Sequence, residues 1–316
     1  MIYDEFISTV QNSIQARLGE HYTVIVQKIP KNNGTIRDGL FIAKTGDFVT
    51  PTIYLDPFFQ GWKSGTALPD ILDEIIQVYL DGRSFPQIEP EMLTDVSRLE
   101  DKIVYKLIHT KSNEILLQDV PSVPFLDLSI VFYLFLEEYT YGHMTALIHN
   151  SHMVSWNLDV QKMQDLASVN TPRLLPAQIK SIRDVIRELA DTHLQDNYYQ
   201  KVLREQNPTC VRVPFYILSN ICGINGSCAI LYDGILKNFA DQLEKDLIIL
   251  PSSIHEVILI PYDEDFCLTE LAHMVHHVNA TEVPAEERLS DEVYLFLRDL
   301  NQIVPASQYL PYDQIS

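Results

Sequence analysis

Apolar residues recur every fourth position from Phe6 through Val10 and Ile14 to Leu18, and Gly19 follows them. That spacing predicts an N-terminal helix stopped by a glycine. Three runs of strand character come next, HYTVIVQKI (21–29), LFIAKT (40–45) and PTIYLD (51–56), separated by turn-formers such as Asn32-Asn33-Gly34. Over 68–80, Leu68, Ile71, Leu72, Ile75 and Tyr79 share one side of a helix, with Asp70, Asp73, Glu74 and Gln77 away from it. A polar run around 89–100 then closes a small helix-plus-sheet module at 1–100.

The remainder, 101–316, opens with strand candidates at 103–110, 125–136 and 144–150. The middle run, FLDLSIVFYLFL, is apolar on both faces, as a central strand covered on both sides should be. Helices are expected at 159–169 and at 177–191, the second carrying Ile179, Ile182, Ile186 and Leu189 at helical spacing. A strand at 213–220 leads to a helix within 234–245, where Ile235, Leu236, Phe239, Ala240 and Leu243 form an apolar stripe. Two strands, DLIIL (246–250) and HEVILI (255–260), read as a hairpin; a helix at 266–279 and a strand at 293–297 complete the chain. Strands and helices mix without a regular βαβ alternation. The expected class is therefore α+β, with mainly antiparallel sheets and packed helices, in two modules or one continuous domain.

Charge narrows the functions open to this chain. Its 43 acids against 23 bases give −20. The excess is uneven, since residues 233–316 hold 16 acids and 4 bases while the middle of the chain is near neutral. Such a field repels phosphate backbones and anionic membranes, and it leaves room for a basic protein partner. The start, MIYDEFISTV, is acidic where a secretory signal is basic, and the most apolar run is too short to cross a bilayer. Cys210, Cys222, Cys228 and Cys267 show no metal-ligand spacing and read as reduced, mostly buried thiols of a cytoplasmic protein.

Candidate chemistry is sparse. In ILPSSIHEVILIP, Ser252, Ser253, His255 and Glu256 stand at the mouth of the predicted hairpin. Along an extended strand Ser253 and His255 share one face and Glu256 the other, so these residues read first as groups that finish the turn and second as a binding site. On the helix TELAHMVHHV (269–278), His273 and His277 have the i, i+4 spacing of two ligands on one metal, with Glu270 one turn earlier. Leu268, Leu271, Ala272, Val275 and Val278 form the opposite, apolar arc. His149 and His152 stand where a strand gives way to a short helix with Asn150 or Ser151 as candidate cap, a position at which ligands are often held. Arg173, in the restrained segment NTPRLLP, is a candidate anion holder or a partner for one of the acids. The loop CGINGSC (222–228) lacks the lysine of a phosphate cradle and reads as a tight turn.

YLDPFF (54–59), FLDLSIVFY (125–133), LIHN (147–150), NTPRLLP (170–176), LYDGILKNFADQL, ILPSSIHEVILIP, and HHVNATEV followed by LSDEVYLF (276–296) resemble an uncharacterised family of roughly 300-residue bacterial proteins, a domain of unknown function. The resemblance covers nearly the whole chain and implies no activity, cofactor or catalytic residue. On the residues themselves the chain is read as a non-enzymatic, soluble binding or interaction protein with an acidic C-terminal surface. The alternatives are a metal-dependent hydrolase built on the clustered histidines, for which a divalent metal would be the cofactor, and an acidic mimic of nucleic acid.

Overall fold

The four-residue apolar spacing at the N-terminus does build a helix, α1 (Tyr3–Leu18), in a computed structural model that describes residues 1–46, 50–83, 95–139, 142–192, 214–251 and 253–308. Cys210, Val213, Ser252 and residues 89–94 of the polar run lie outside the described residues. Phe6, Val10 and Ile14 are fully buried. Gly19 ends the helix at φ 81°, a left-handed conformation that a residue without Cβ adopts at little cost, and its N–H reaches Gln15 O at 3.0 Å. The chain forms two compact units, Met1–Leu99 and Glu100–Ser316.

In the first unit an antiparallel sheet runs in the order β1 (Tyr22–Pro30), β2 (Ile36–Lys44), β3 (Thr52–Tyr54). The β1–β2 turn takes Asn33 and Gly34 through positive φ, as Asn-Gly chemistry favours. Two helices follow, α2 (Asp56–Lys63) and α3 (Leu68–Arg83). The sequence pattern did not reveal α2: two turns are too short for a helical period to declare itself, and Thr52–Asp56 reads as strand. Its Pro57 sits in the first turn, where a missing N–H costs nothing. One core joins α1, the sheet and α3 through Phe6, Ile14, Leu40, Ile42, Leu55, Ile75 and Tyr79.

The second unit holds two antiparallel sheets, which with their helices make the protein α+β. In the first, β6 (Leu128–Tyr139) is central and pairs with β4 (Ile103–His109), β5 (Ser122–Phe125) and β7 (Gly142–Leu147). The predicted 125–136 strand is broken by a two-residue turn at Leu126 (φ 55°) and Asp127, so Phe125 belongs to β5. A short helix, α4 (Glu114–Leu117), lies between β4 and β5, and α5 (Asn150–Trp156) follows β7. The helix α6 (Val160–Leu174) lies along the open edge of β4. Its Asn170 amide donates to Glu100 O (2.7 Å) and Ile103 O (3.0 Å), and its Thr171 hydroxyl accepts the Tyr105 N–H. An exposed strand edge is thereby satisfied by side chains.

The second sheet runs β13 (Gln302–Pro305), β12 (Tyr294–Leu297), β10 (Leu247–Leu250), β11 (Val257–Pro261), β9 (Tyr216–Asn220), β8 (Ala177–Ser181). The expected 177–191 helix therefore starts late, as α7 (Ile182–Thr192). Residues 177–181 pair with β9 instead, and the Ser181 hydroxyl accepts the Asp184 N–H at 3.1 Å, which opens the helix there. After β9 come a 3-10 turn (Gly226–Leu231) and α8 (Ile235–Leu243). The last helix, α9 (Leu268–Thr281), packs Leu268, Leu271 and Val275 on Ile248, Leu250, Ile260 and Leu295. Leu247, Ile249, Leu259 and Tyr294 are buried on the other face, so both faces of β10 to β12 are covered.

Replacing Phe6 by Ala removes a fully buried ring from the first core. Chemical denaturation of the full chain is expected to show a loss of about 3–5 kcal/mol from the unit that contains it.

Candidate functional site

A connected polar cluster lies where the β5–β6 turn meets the start of β12. Asp127 accepts the Tyr294 phenol at 2.5 Å on Oδ1 and the Ser290 hydroxyl at 2.6 Å on Oδ2, with His109 Nε2 3.8 Å away. Tyr294 is fully buried; burial first, then the Asp127 charge, push its pKa up, so the phenol stays a donor. Beside Ser290, Asp291 accepts the Asn279 amide at 2.7 Å and the His276 Nδ1–H at 2.9 Å. Burial alone would raise the Asp291 carboxyl, but these bonds outweigh it and hold the group below its usual range. Asp127 and Asp291 are both partly open to solvent. The arrangement presents two oriented carboxylates beside His109, suited to receiving cationic or hydrogen-bond-donating groups. In the sequence FLDLSIVFY, HHVNATEV and LSDEVYLF carry the resemblance, but their polar residues are not brought together there, because Asp127 and the 290–294 segment are more than 160 residues apart.

The residues singled out from the sequence fall elsewhere. Ser253 and His255 are adjacent, but the Ser253 hydroxyl accepts the backbone N–H of His255 at 3.0 Å and the imidazole points away. His255 Nδ1 instead accepts the Asn225 N–H at 3.3 Å, and its Nε2 lies 4.0 Å from Glu287. Residues 253–256 precede β11, so strand alternation does not govern them; Ser253 bridges to Arg288, and Glu256 stands exposed. Gly226 is required here: a Cβ would lie 2.2 Å from Ser219 Oγ and 2.5 Å from His255 O. Ser219 and Ser227 hydroxyls donate to the carbonyls of His255 and Ile254, both at 2.7 Å. The CGINGSC loop is thus clamped onto the hairpin mouth.

On α9, Glu270, His273 and His277 are exposed. The inward position after Val275 belongs to Asn279 and not to Val278, which is 38% exposed, because the Asn279 amide bonds Ser290 O and Asp291. His149 is itself the N-cap of α5, in place of Asn150 or Ser151. Its ring Nδ1–H donates to Asp119 at 2.8 Å, while His152 Nδ1 accepts the His149 backbone N–H at 3.0 Å. Among the described residues no three His, Cys, Asp or Glu side chains gather as metal ligands. Arg173 lies in the last turn of α6, which runs through Pro172, and not in a connector. It donates to Asp101 O (2.7 Å) and Asn170 Oδ1 (3.0 Å), so a backbone carbonyl and an amide occupy it, and among the described residues no acid pairs with it. Cys222, Cys228 and Cys267 form no disulfide among the described residues, and burial pushes Cys228 up to about 12.

The chain belongs to a family of unknown function (DUF5688), whose model matches residues 3–298. No curated protein and no solved structure matches it.

Two measurements check these assignments. Tyr294→Phe removes a donor to a carboxylate while keeping the ring, and is expected to cost about 1.5–3 kcal/mol in denaturant unfolding. Protein purified without a histidine tag is expected to hold far less than one equivalent of zinc, iron or manganese by mass spectrometry, and His273→Ala/His277→Ala to leave that content unchanged.

Proposed function

We propose that the protein is a binding protein whose second unit offers an acidic face to a basic protein partner. One observation carries this reading: Glu264, Asp265, Glu270 and Glu282, along α9 and the turns at its ends, are exposed and form no ion pair among the described residues. The bases nearby are few and turned to other work. Lys245 holds Asp263 at 2.7 Å, and the Arg288 guanidinium donates to the carbonyls of Val283 (3.0 Å) and Ala280 (3.1 Å). Asp291, held below its usual range, adds a permanent charge at the edge of the same region.

Surface charges of this kind act mainly on encounter rate, orientation and discrimination, and salt screens them over about 8–10 Å. The same field disfavours nucleic acid and anionic lipid as ligands. No helix among the described residues is long and apolar enough to cross a membrane, which is compatible with a cytoplasmic setting for such an encounter.

The test compares the wild-type chain with a Glu264→Lys/Asp265→Lys/Glu270→Lys/Glu282→Lys variant as bait in extracts of the native host. Any partner identified is then titrated by calorimetry at low and high salt. The expected outcome is a basic partner whose affinity falls by about tenfold or more on charge reversal and declines with salt. A partner of neutral or acidic composition, or one bound equally by the variant, would overturn the proposal.

A further inference from the structure

We propose that α5 is closed by a proton-sensitive cap: His152 holds the His149 backbone N–H only while its Nδ1 is unprotonated, so acidification releases the first turn of the helix. His152 occupies the third helical position, from which a Glu or Gln side chain ordinarily reaches back to the N-cap N–H. Here the acceptor is an imidazole nitrogen at 3.0 Å. A neutral imidazole has a single acceptor nitrogen, so the bond fixes the proton of His152 on Nε2.

The neighbouring polar groups are engaged elsewhere. The His149 ring is turned outward to Asp119, and the segment before β5 is tied to the helix start through Asn150 N–H to Asp119 O (2.8 Å) and the Asn150 amide to Gln118 O (3.1 Å). His152 stacks on the buried Trp156 at 5.2 Å and meets the His149 ring edge-on at 5.6 Å. The titratable groups that bear on it are His149 and Asp119. Burial, then His149, lower the His152 pKa, and Asp119 opposes them. A proton on Nδ1 would also place positive charge at the positive end of the helix.

The sign follows from linkage. The folded state binds the His152 proton less readily than the unfolded chain does. The contribution of the cap is complete above the ordinary histidine value of about 6.5 and is lost as pH falls from there towards the lowered folded value. The turn that opens also forms part of a surface groove of about 620 Å³ lined by Asn150, Met153, Val154, Asn157, Leu158 and Asp159, in which Val154 is 83% exposed. The shape of that groove is thereby tied to pH.

Nuclear magnetic resonance of the full chain tests this. Between about pH 7.5 and pH 5, around the histidine value, the His149 amide should titrate with the same midpoint as the His152 ring. Its exchange protection, corrected for intrinsic rate, should fall roughly five-fold, the factor that loss of an ordinary cap represents. His152→Gln, whose amide oxygen accepts without titrating, should keep that protection across the range. Unequal midpoints in the wild type, unchanged protection at low pH, or an acid opening that persists in His152→Gln would each overturn the proposal.

Discussion

One carboxylate, Asp127, ties the two sheets of the second unit together. Tyr294 lies on β12 with its ring fully buried, and a phenol in that position needs an acceptor, since an unmet buried hydroxyl costs on the order of 1–3 kcal/mol. Asp127 supplies it from the β5–β6 turn of the neighbouring sheet and takes the Ser290 hydroxyl on its other oxygen. The turn accepts a positive φ at Leu126 to bring the carboxylate there. Two hydroxyls on one partly open carboxylate form a charge-assisted junction, stronger and more directional than an apolar contact of similar size.

The acidic face depends on that junction. Ser290 is fixed at four points: its hydroxyl to Asp127, its N–H to Pro251 O at 2.9 Å, its hydroxyl oxygen accepting the Glu292 N–H at 2.9 Å, and its carbonyl accepting the Asn279 amide at 2.9 Å. Asp291 follows in a set direction and takes Asn279 and His276 of α9. The helix bearing Glu270 is therefore oriented by polar bonds on one side and by Leu271 and Val275 on the other. Apolar packing alone would allow a helix to roll by a fraction of a turn; the Asn279 amide, buried and bonded twice, does not.

Many polar side chains complete backbone bonding here. Asn170 and Thr171 close the edge of β4, Ser219 and Ser227 hold the hairpin mouth, and His149 and His152 finish a helix end. Buried backbone groups must find partners, and a chain with irregular connections supplies them from side chains. The i, i+4 pair His273 and His277 shows the converse. Its spacing suits a metal, yet it faces solvent with no third ligand gathered among the described residues.

The sequence by itself determined the elements with long periods or long apolar runs: α1 from Phe6, Val10 and Ile14, α3 from Leu68 to Tyr79, the centre of β6, and the apolar sides of α8 and α9. In those stretches burial of a repeating face outweighs every local preference, so the pattern is the structure. It also determined the charge that governs which partners the surface can take. Only the tertiary structure decided the short and doubly committed pieces. Residues 177–181 have helical spacing but an available strand partner in β9, and α2 is too short to show a period. It also decided the polar cluster, because Asp127, Ser290, Asp291 and Tyr294 meet through chain closure over more than 160 residues. No local spacing can encode such a meeting, since the energy that brings these groups together resides in the apolar cores and sheets that carry them.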